Sequence, residues 1–407
     1  MSETATAPKQ KAPTPRPERR SWSTGRAIKV VAVLALILLL LLLPLYVEEF
    51  WLRTGFAVFA AIIGAVGLKI LVGTTGQLSL AHAFFLAVGA VTYTYVSGAP
   101  GGTANPYDGL QLSPVLGMVL GVLAAGLAGV IFSPIAARLR GIYLGIASLG
   151  LVFIGQHVLN TWTSVTGGFN GRQVPTFSIF GFGFGGNDSP ELVVAGVPFG
   201  QSERLWYLGL ALCFVACWFA SNLVRSRPGR ALQTLRDSEV AASVMGVDVR
   251  AYKAKAFLVS SMYAGRAGVL YALSIGSVAP DSFGLTLSVQ FLAMIVLGGL
   301  GSVTGAILGA TFVSAAPLVF QQYAASLPFI VDPGQPGIVA SQAAAFLYGG
   351  AIVLVVLFEP GGLAGLARRF RRPQRAPQAA STATTGAEQD QSTTAASADS
   401  STERDNR

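Results

Sequence analysis

The chain has 407 residues, 52% of them hydrophobic and only 12% charged, with a mean hydropathy of +0.58. A soluble domain carries about a quarter charged residues, so most of this chain belongs in lipid. The formal net charge of +9 would suit a nucleic-acid partner, but the basic residues lie in tails and in short loops beside apolar runs, the positive-inside pattern of membrane proteins.

Residues 1–27, rich in Pro, Lys, Arg, Ser and Thr, form a disordered basic tail. The run Ile28–Leu43 could be the core of a signal peptide, but Pro44 and Glu48-Glu49 follow it instead of a small-residue cleavage site, so it reads as an uncleaved first span. A span needs about 20 apolar residues. Ten segments qualify: 28–47, 54–73, 77–97, 113–133, 141–161, 205–224, 254–277, 285–299, 303–321 and 341–358. The third, eighth and ninth are short or glycine-rich, which predicts broken or re-entrant segments. Residues 28–366 thus form one membrane domain, and 367–407, dominated by Ala, Ser, Thr and Gln, a second disordered tail.

Loop charges orient this count. With the N-terminus inside, Arg138 and Arg140, the cluster from Arg225 to Lys253, and Arg368 to Arg372 are all inside. Glu48, Glu49, Asp108, Asp188, Glu191, Asp281 and Asp332 are then outside. Both termini are therefore expected to be cytoplasmic. The long outer loop 162–204 predicts a short helix or contact with a soluble molecule.

The inner loop 225–253 is polar and basic between apolar runs. Pro228 suits a helix first turn, Ser238 can cap a second short helix, and Glu239 favours its N-terminal end. Gly246 can close that helix, and Asp248 can cap the next span. From these residues alone the loop is either a docking site for a soluble partner or a basic loop held by lipid phosphates. Cys213 and Cys217 share a helix face and read as small packing residues. Gly181, Gly183 and Gly186 spell a dinucleotide motif without its strand–helix context, and no phosphate-binding GxxxxGK[ST] segment occurs. Gly301, Gly305 and Gly309 expose a small-residue face, for packing within the chain or at a seam with another subunit.

His82, beside Gln77 and Ser79 in an apolar segment, is either a hydrogen-bonded structural residue or a path-lining one. His157 sits near a helix end and reads as interfacial; neither histidine has partners for a metal set. Arg266 falls near the middle of the span 254–277 with no intramembrane carboxylate to pair with it. It either bonds backbone carbonyls or meets the carboxylate of a zwitterionic solute.

Five stretches in order resemble the permeases of branched-chain amino acid ABC importers, the LivH/LivM family, most closely the LivM type. They are Thr75–Phe85 (TGQLSLAHAFF, with Ala81 where glycine is common), Leu139–Leu144 (LRGIYL), Thr166–Gly171 (TGGFNG), Gly229-Arg-Ala-Leu through Glu239-Val-Ala-Ala to Met245-Gly246, and Phe358–Leu363 (FEPGGL). Arg266 departs from the family, where this segment is apolar and small.

The resemblance implies an all-α polytopic membrane protein of about ten transmembrane helices, performing no chemistry, with no catalytic residues, metal or cofactor. It implies a coupling loop at Glu239, Ala241, Ala242 and Gly246, seated in a groove of a cytoplasmic ATP-hydrolysing subunit, with Glu239 as a charged anchor. Candidates for the translocation path are Gln77, Ser79, His82, Thr166, Gly167, Gly168, Asn170 and Arg266. The implied partners are a second permease subunit, two ATP-binding subunits, an extracytoplasmic solute-binding protein and membrane lipid, in a bacterial inner membrane. Two alternatives stay open: the same machine carrying urea or short amides, and an autonomous ion-coupled secondary transporter. The second expects intramembrane carboxylates, and the predicted spans contain none.

Overall fold

The computed structural model describes residues 24–101, 107–179, 181–185, 192–194, 197–323, 330–331, 337–358 and 362–369. Fourteen helices are described: α1 (Thr24–Leu42), α2 (Glu49–Leu68), α3 (His82–Ser97), α4 (Pro114–Arg138), α5 (Ile142–Thr161), α6 (Thr163–Thr166), α7 (Gln201–Arg225), α8 (Arg227–Asp237), α9 (Glu239–Val244), α10 (Val249–Ile275), α11 (Leu285–Gly298), α12 (Val303–Tyr323), α13 (Ala340–Phe358) and α14 (Gly362–Arg369). Among the described residues, seven helical segments are long and apolar enough to cross a membrane. Contacts divide the chain into Met1–Gly365, which holds the bundle, and Leu366–Arg407, whose described part is the end of α14. Most of the two tails lies outside the described residues, but helix begins already at Thr24 and runs on to Arg369.

Among the described residues, strand structure is confined to two- and three-residue pieces. β1 (Arg172–Gln173) pairs antiparallel with β6 (Ser277–Val278), β2 (Ser178–Ile179) with β3 (Phe182–Gly183), and β4 (Leu192–Val194) with β5 (Val197–Phe199); β7 (Ile330–Val331) runs parallel to β8 (Ile338–Val339).

Of the three spans expected to be irregular, the third and eighth are short, whereas the ninth is the continuous 21-residue helix α12. Helix α2 ends in a π-helical turn over Lys69–Gly73, and residues 76–80 are non-helical, so α3 starts only at His82. Its 16 residues rise about 24 Å, short of a bilayer core about 30 Å thick. The carbonyls left free by the broken ladder are met locally: Thr75 Oγ1 donates to Leu71 O at 2.6 Å and the Thr74 hydroxyl to Ile70 O. Ser148 Oγ accepts from Leu80 N at 2.8 Å, and Ser288 Oγ from Ala83 N at 3.0 Å. Hydroxyls from α5 and α11 thus hold the break inside protein, where such backbone is tolerated at membrane depth. Helix α11 has 14 residues, preceded by a 3-10 turn (Pro280–Phe283) and ended by Gly299 at φ +99°.

Helices α2 and α10 are buried along most of their length and form the centre, with α3 and α4 against them. Glycine makes the approach possible. A Cβ on Gly121 of α4 would lie 2.7 Å from the Gly89 carbonyl of α3, and one on Gly126 2.7 Å from Met262 Cγ of α10. Gly305 and Gly309 of α12 back onto the α11 backbone at Met294, Gly298 and Gly299, so this small-residue face packs within the chain. Gly301 has open space around it. Trp206 Nε1 and the Tyr207 hydroxyl of α7 donate to Leu40 O and Leu41 O, tying α1 to the bundle.

Candidate functional site

At one end of the bundle the chain gathers its basic loops. Serine and aspartate set the helix starts there, as their capping chemistry predicts. Ser226 Oγ accepts from Gly229 N at 3.4 Å, Ser238 Oγ from Ala241 N at 3.2 Å, and Asp248 Oδ1 from Ala251 N at 3.0 Å. Gly246, at φ +79°, closes α9, with Val247 N donating to Ala242 O at 3.0 Å. Two short helices, α8 and α9, are therefore fixed by local chemistry between α7 and α10.

The Glu239 carboxylate takes part in two ion pairs. Oε2 meets Arg140 Nη2 at 2.8 Å, and Oε1 meets Lys253 Nζ at 2.7 Å. Lys253 is only 1% exposed. The charge of Glu239 thus neutralises a buried lysine of α10 and reaches the Leu139-Arg140-Gly141 turn that starts α5. Ala242 is buried beneath α9, while Ala241 and Gly246 are exposed. On and just past α9 three apolar side chains face outward beside the exposed Ser243: Val240, Val244 and Met245 are 69%, 83% and 74% exposed. Val240 and Val244, four residues apart, share one helix face.

Behind α9 lies a polar cavity of about 330 Å³, walled by Thr75–Gln77, Leu139–Gly141 and Leu235–Val240. Arg236, part of its wall, donates through Nη1 to Gly73 O at 2.7 Å. Gln77 is 6% exposed, and both atoms of its amide lack a hydrogen-bond partner among the described residues.

The other path candidates occupy separate places. Ser79 accepts from Ala81 N at 3.3 Å, one of the bonds holding the break before α3. His82 is buried, its ring bonded to the backbone at Gly64 and packed edge-on to Phe291 at 4.9 Å, with Nε2 unpartnered. Thr166, Gly167, Gly168 and Asn170 lie at the opposite end of the bundle. There Thr166 Oγ1 donates to Leu159 O at 2.6 Å and accepts from Gly168 N at 3.1 Å. Gly167, Gly168 and Gly171 all take positive φ, a conformation that favours glycine. Asn170 is exposed beside Phe169, itself 76% exposed. Thr166 also borders an apolar cavity of about 330 Å³ between α3 and α5, lined by Phe84, Val88, Val152, Leu159 and Phe283. Arg266 is half-buried on α10, one turn from Tyr263, whose hydroxyl donates to Ala216 O of α7 at 2.7 Å. No ion pair to Arg266 is found among the described residues.

Two cations escaped the sequence reading, and a third, Lys253, was read only as a loop charge. Arg172 clamps the loop end: its Nη1 donates to Asp108 O and Val165 O, both at 2.8 Å, and its guanidinium lies 5.6 Å from the Tyr107 ring. Burial lowers its pKa below the usual arginine value. Lys69 is buried inside the second span. Lys253 shares the buried stripe of α10 with Ala256, Phe257, Ser260 and Ala264; that spacing was a legible signal that it needs a carboxylate.

Comparison with known proteins follows this geometry. Residues 50–357 match the family described as Branched-chain amino acid transport system / permease component. The chain is 32% identical over 317 residues to the High-affinity branched-chain amino acid transport system permease protein LivM of Escherichia coli K12, covering 75% of this chain and 68% of that protein. It is 25% identical over 268 residues to a LivM described as probable from Methanocaldococcus jannaschii, covering 64% and 70%. A shorter stretch of 113 residues is 35% identical to the Autoinducer 2 import system permease protein LsrC of Enterobacter sp. strain 638, covering 26% and 33%. No solved structure matches the chain.

Proposed function

The chain belongs to the permease-component family of branched-chain amino acid transport systems, and from that premise we propose that it is the membrane subunit through which an ABC importer moves leucine, isoleucine and valine, with α8 and α9 as the dock for the ATP-hydrolysing subunits. It is a multi-pass membrane protein that works with ATP-binding and solute-binding components. The observation that carries the dock is the exposed apolar face of Val240, Val244 and Met245 on a helix braced from behind by Glu239. A soluble segment gains nothing from such a face unless a partner covers it. Ala241 and Gly246 let that partner approach closely, and Glu239 holds the helix in place instead of touching the partner.

For the solute, the apolar cavity beside Thr166 suits an aliphatic side chain, with Gly167, Gly168 and Asn170 shaping its mouth and His82, Ser79 and Gln77 continuing towards the basic end. Arg266 is the proposed contact for the solute carboxylate. Membership in this family argues against an autonomous ion-coupled transporter, as does the confinement of acidic residues in the described spans to their first turns, at Glu49, Glu203 and Asp281.

Replacing both Val244 and Met245 by Asp tests the dock. Each buried side chain contributes about 1.5–3 kcal/mol, so the double variant should lose well over tenfold in affinity for the ATPase subunits. It should still insert and fold, because both side chains are exposed. Full recovery of ATPase subunits on co-purification of this variant, with normal ATP-driven leucine uptake, would sink the reading.

A further inference from the structure

The polar cavity behind α9 enters the proposed path only through Gln77, yet it has the attributes of a ligand site of its own. Its volume, about 330 Å³, sits at the lower end of the range of about 300–1,000 Å³ usual for small-molecule sites. The buried Gln77 amide lines it with both its donor and its acceptor unmatched. A buried amide without partners costs roughly 1–3 kcal/mol, a cost that a ligand with complementary groups would remove. Such a ligand must both accept and donate.

The surroundings narrow the chemistry. Arg236 and Arg140 border the cavity as cations and Asp237 as an anion, while Leu144 and Leu235 supply apolar wall. Lys253 also borders it, its charge matched by Glu239 at 2.7 Å. A carboxylate suits the guanidinium groups and the Gln77 NH2, an ammonium suits Asp237 and the Gln77 carbonyl, and a short aliphatic group suits the leucines. These are the three parts of a branched-chain amino acid.

The position gives occupancy a consequence. Apart from Lys253 of α10, the walls come from three separate parts: the broken segment before α3, the turn between α4 and α5, and the α8–α9 junction with Ser238, Glu239 and Val240. A ligand bridging all three would pin α9 to the bundle. We propose that this cavity is an inhibitory site for the imported amino acid itself, bound in zwitterionic form from the side on which it is released, so that accumulated product halts the ATP-driven movement of α9. The identity of the ligand rests on the cargo proposed above. Because binding and conformation are reciprocally linked, the ligand must favour the state with α9 seated.

The experiment uses the assembled transporter in proteoliposomes, with ATP inside and binding protein plus labelled leucine outside. Initial uptake is compared with and without unlabelled leucine preloaded in the lumen, as a ratio within each preparation. The ratio should fall several-fold for the natural chain and stay near one for Gln77→Leu and for Asp237→Asn, whatever their basal rates. Lumenal 4-methylpentanoate, which lacks the ammonium, and 3-methylbutylamine, which lacks the carboxylate, should inhibit far less. Uptake undiminished by lumenal leucine in the natural chain overturns the site alone. Equal inhibition in both variants, or by the carboxylate without the ammonium, also overturns it. Absence of any leucine uptake overturns the cargo, and this ligand with it. Equilibrium binding of leucine to the purified complex without binding protein, lost in Gln77→Leu, is the second readout.

Discussion

Lys253 and Glu239 show how much one buried charge governs at this end of the molecule. Lys253 is 1% exposed, whereas the Arg140 partner of Glu239 is 71% exposed and screened by water. The two halves of the triad therefore have unequal worth. Removing the carboxylate leaves an uncompensated buried ammonium, a loss of roughly 3–5 kcal/mol. Removing the lysine leaves Glu239 with Arg140 and partial solvent, a milder loss. Thermal unfolding in mild detergent should therefore rank Glu239→Ala below Lys253→Met, and the double variant should unfold above Glu239→Ala. A double variant as unstable as the sum of its parts would mean that the two side chains do not interact. Reversing the charge at Glu239 would bring three cations together, with Arg140 and Lys253, so Glu239→Lys should disturb the seating of α9 as well as its docking.

Among the elements, α10 carries the heaviest constraint, because α2, α3 and α4 all pack on it through small residues. Gly265 of α10 faces Ala125, with a Cβ there 3.1 Å from the Gly121 carbonyl. Gly265→Leu must push α3 or α4 aside, and overpacking of this kind costs about 1–3 kcal/mol or more. The expected outcome is loss of the folded protein on size exclusion in detergent, while Gly150→Leu on α5, which has open space, folds normally. Both variants folding equally well would show the contact to be loose. The same elements show what the sequence revealed. Hydropathy gave the spans because lipid admits only helices with satisfied backbone, and caps at Ser226, Ser238 and Asp248 gave α8 and α9 because those side chains act within three residues. The break at 76–80 was visible only as an unusual mix of Gly, Gln and Ser. The triad of Glu239, Arg140 and Lys253 was not visible as a unit: its members are far apart in sequence, and local chemistry cannot place Arg140 beside α9. The path candidates, some read from resemblance and others, such as His82 and Arg266, from a polar group in an apolar span, fell in separate places for the same reason.

At the scale of the whole molecule the bundle has two unlike ends, and the charge on each predicts its side of the membrane. One end holds Arg138, Arg140, Arg225, Arg227, Arg230, Arg236 and Arg250 beside α8 and α9. The other holds the glycine turns of residues 166–171, joined to the far end of α10 by the pairing of Arg172 with Val278 and Gln173 with Ser277. Positive charge is retained on the cytoplasmic side during insertion, so the first end should face the cytoplasm, where ATP-hydrolysing partners would meet it. Two exposed positions report the ends directly: Ser243 on α9 and Phe169 in the glycine turn. Each is replaced by Cys in a background where Cys213 and Cys217 are Ala, and intact spheroplasts are treated with a membrane-impermeant thiol reagent. Phe169→Cys should label and Ser243→Cys should not, until the membrane is permeabilised. Labelling of Ser243→Cys in sealed spheroplasts would reverse the topology and remove α9 from the reach of any cytoplasmic ATPase. Labelling of both would break the assignment of the two positions to opposite faces.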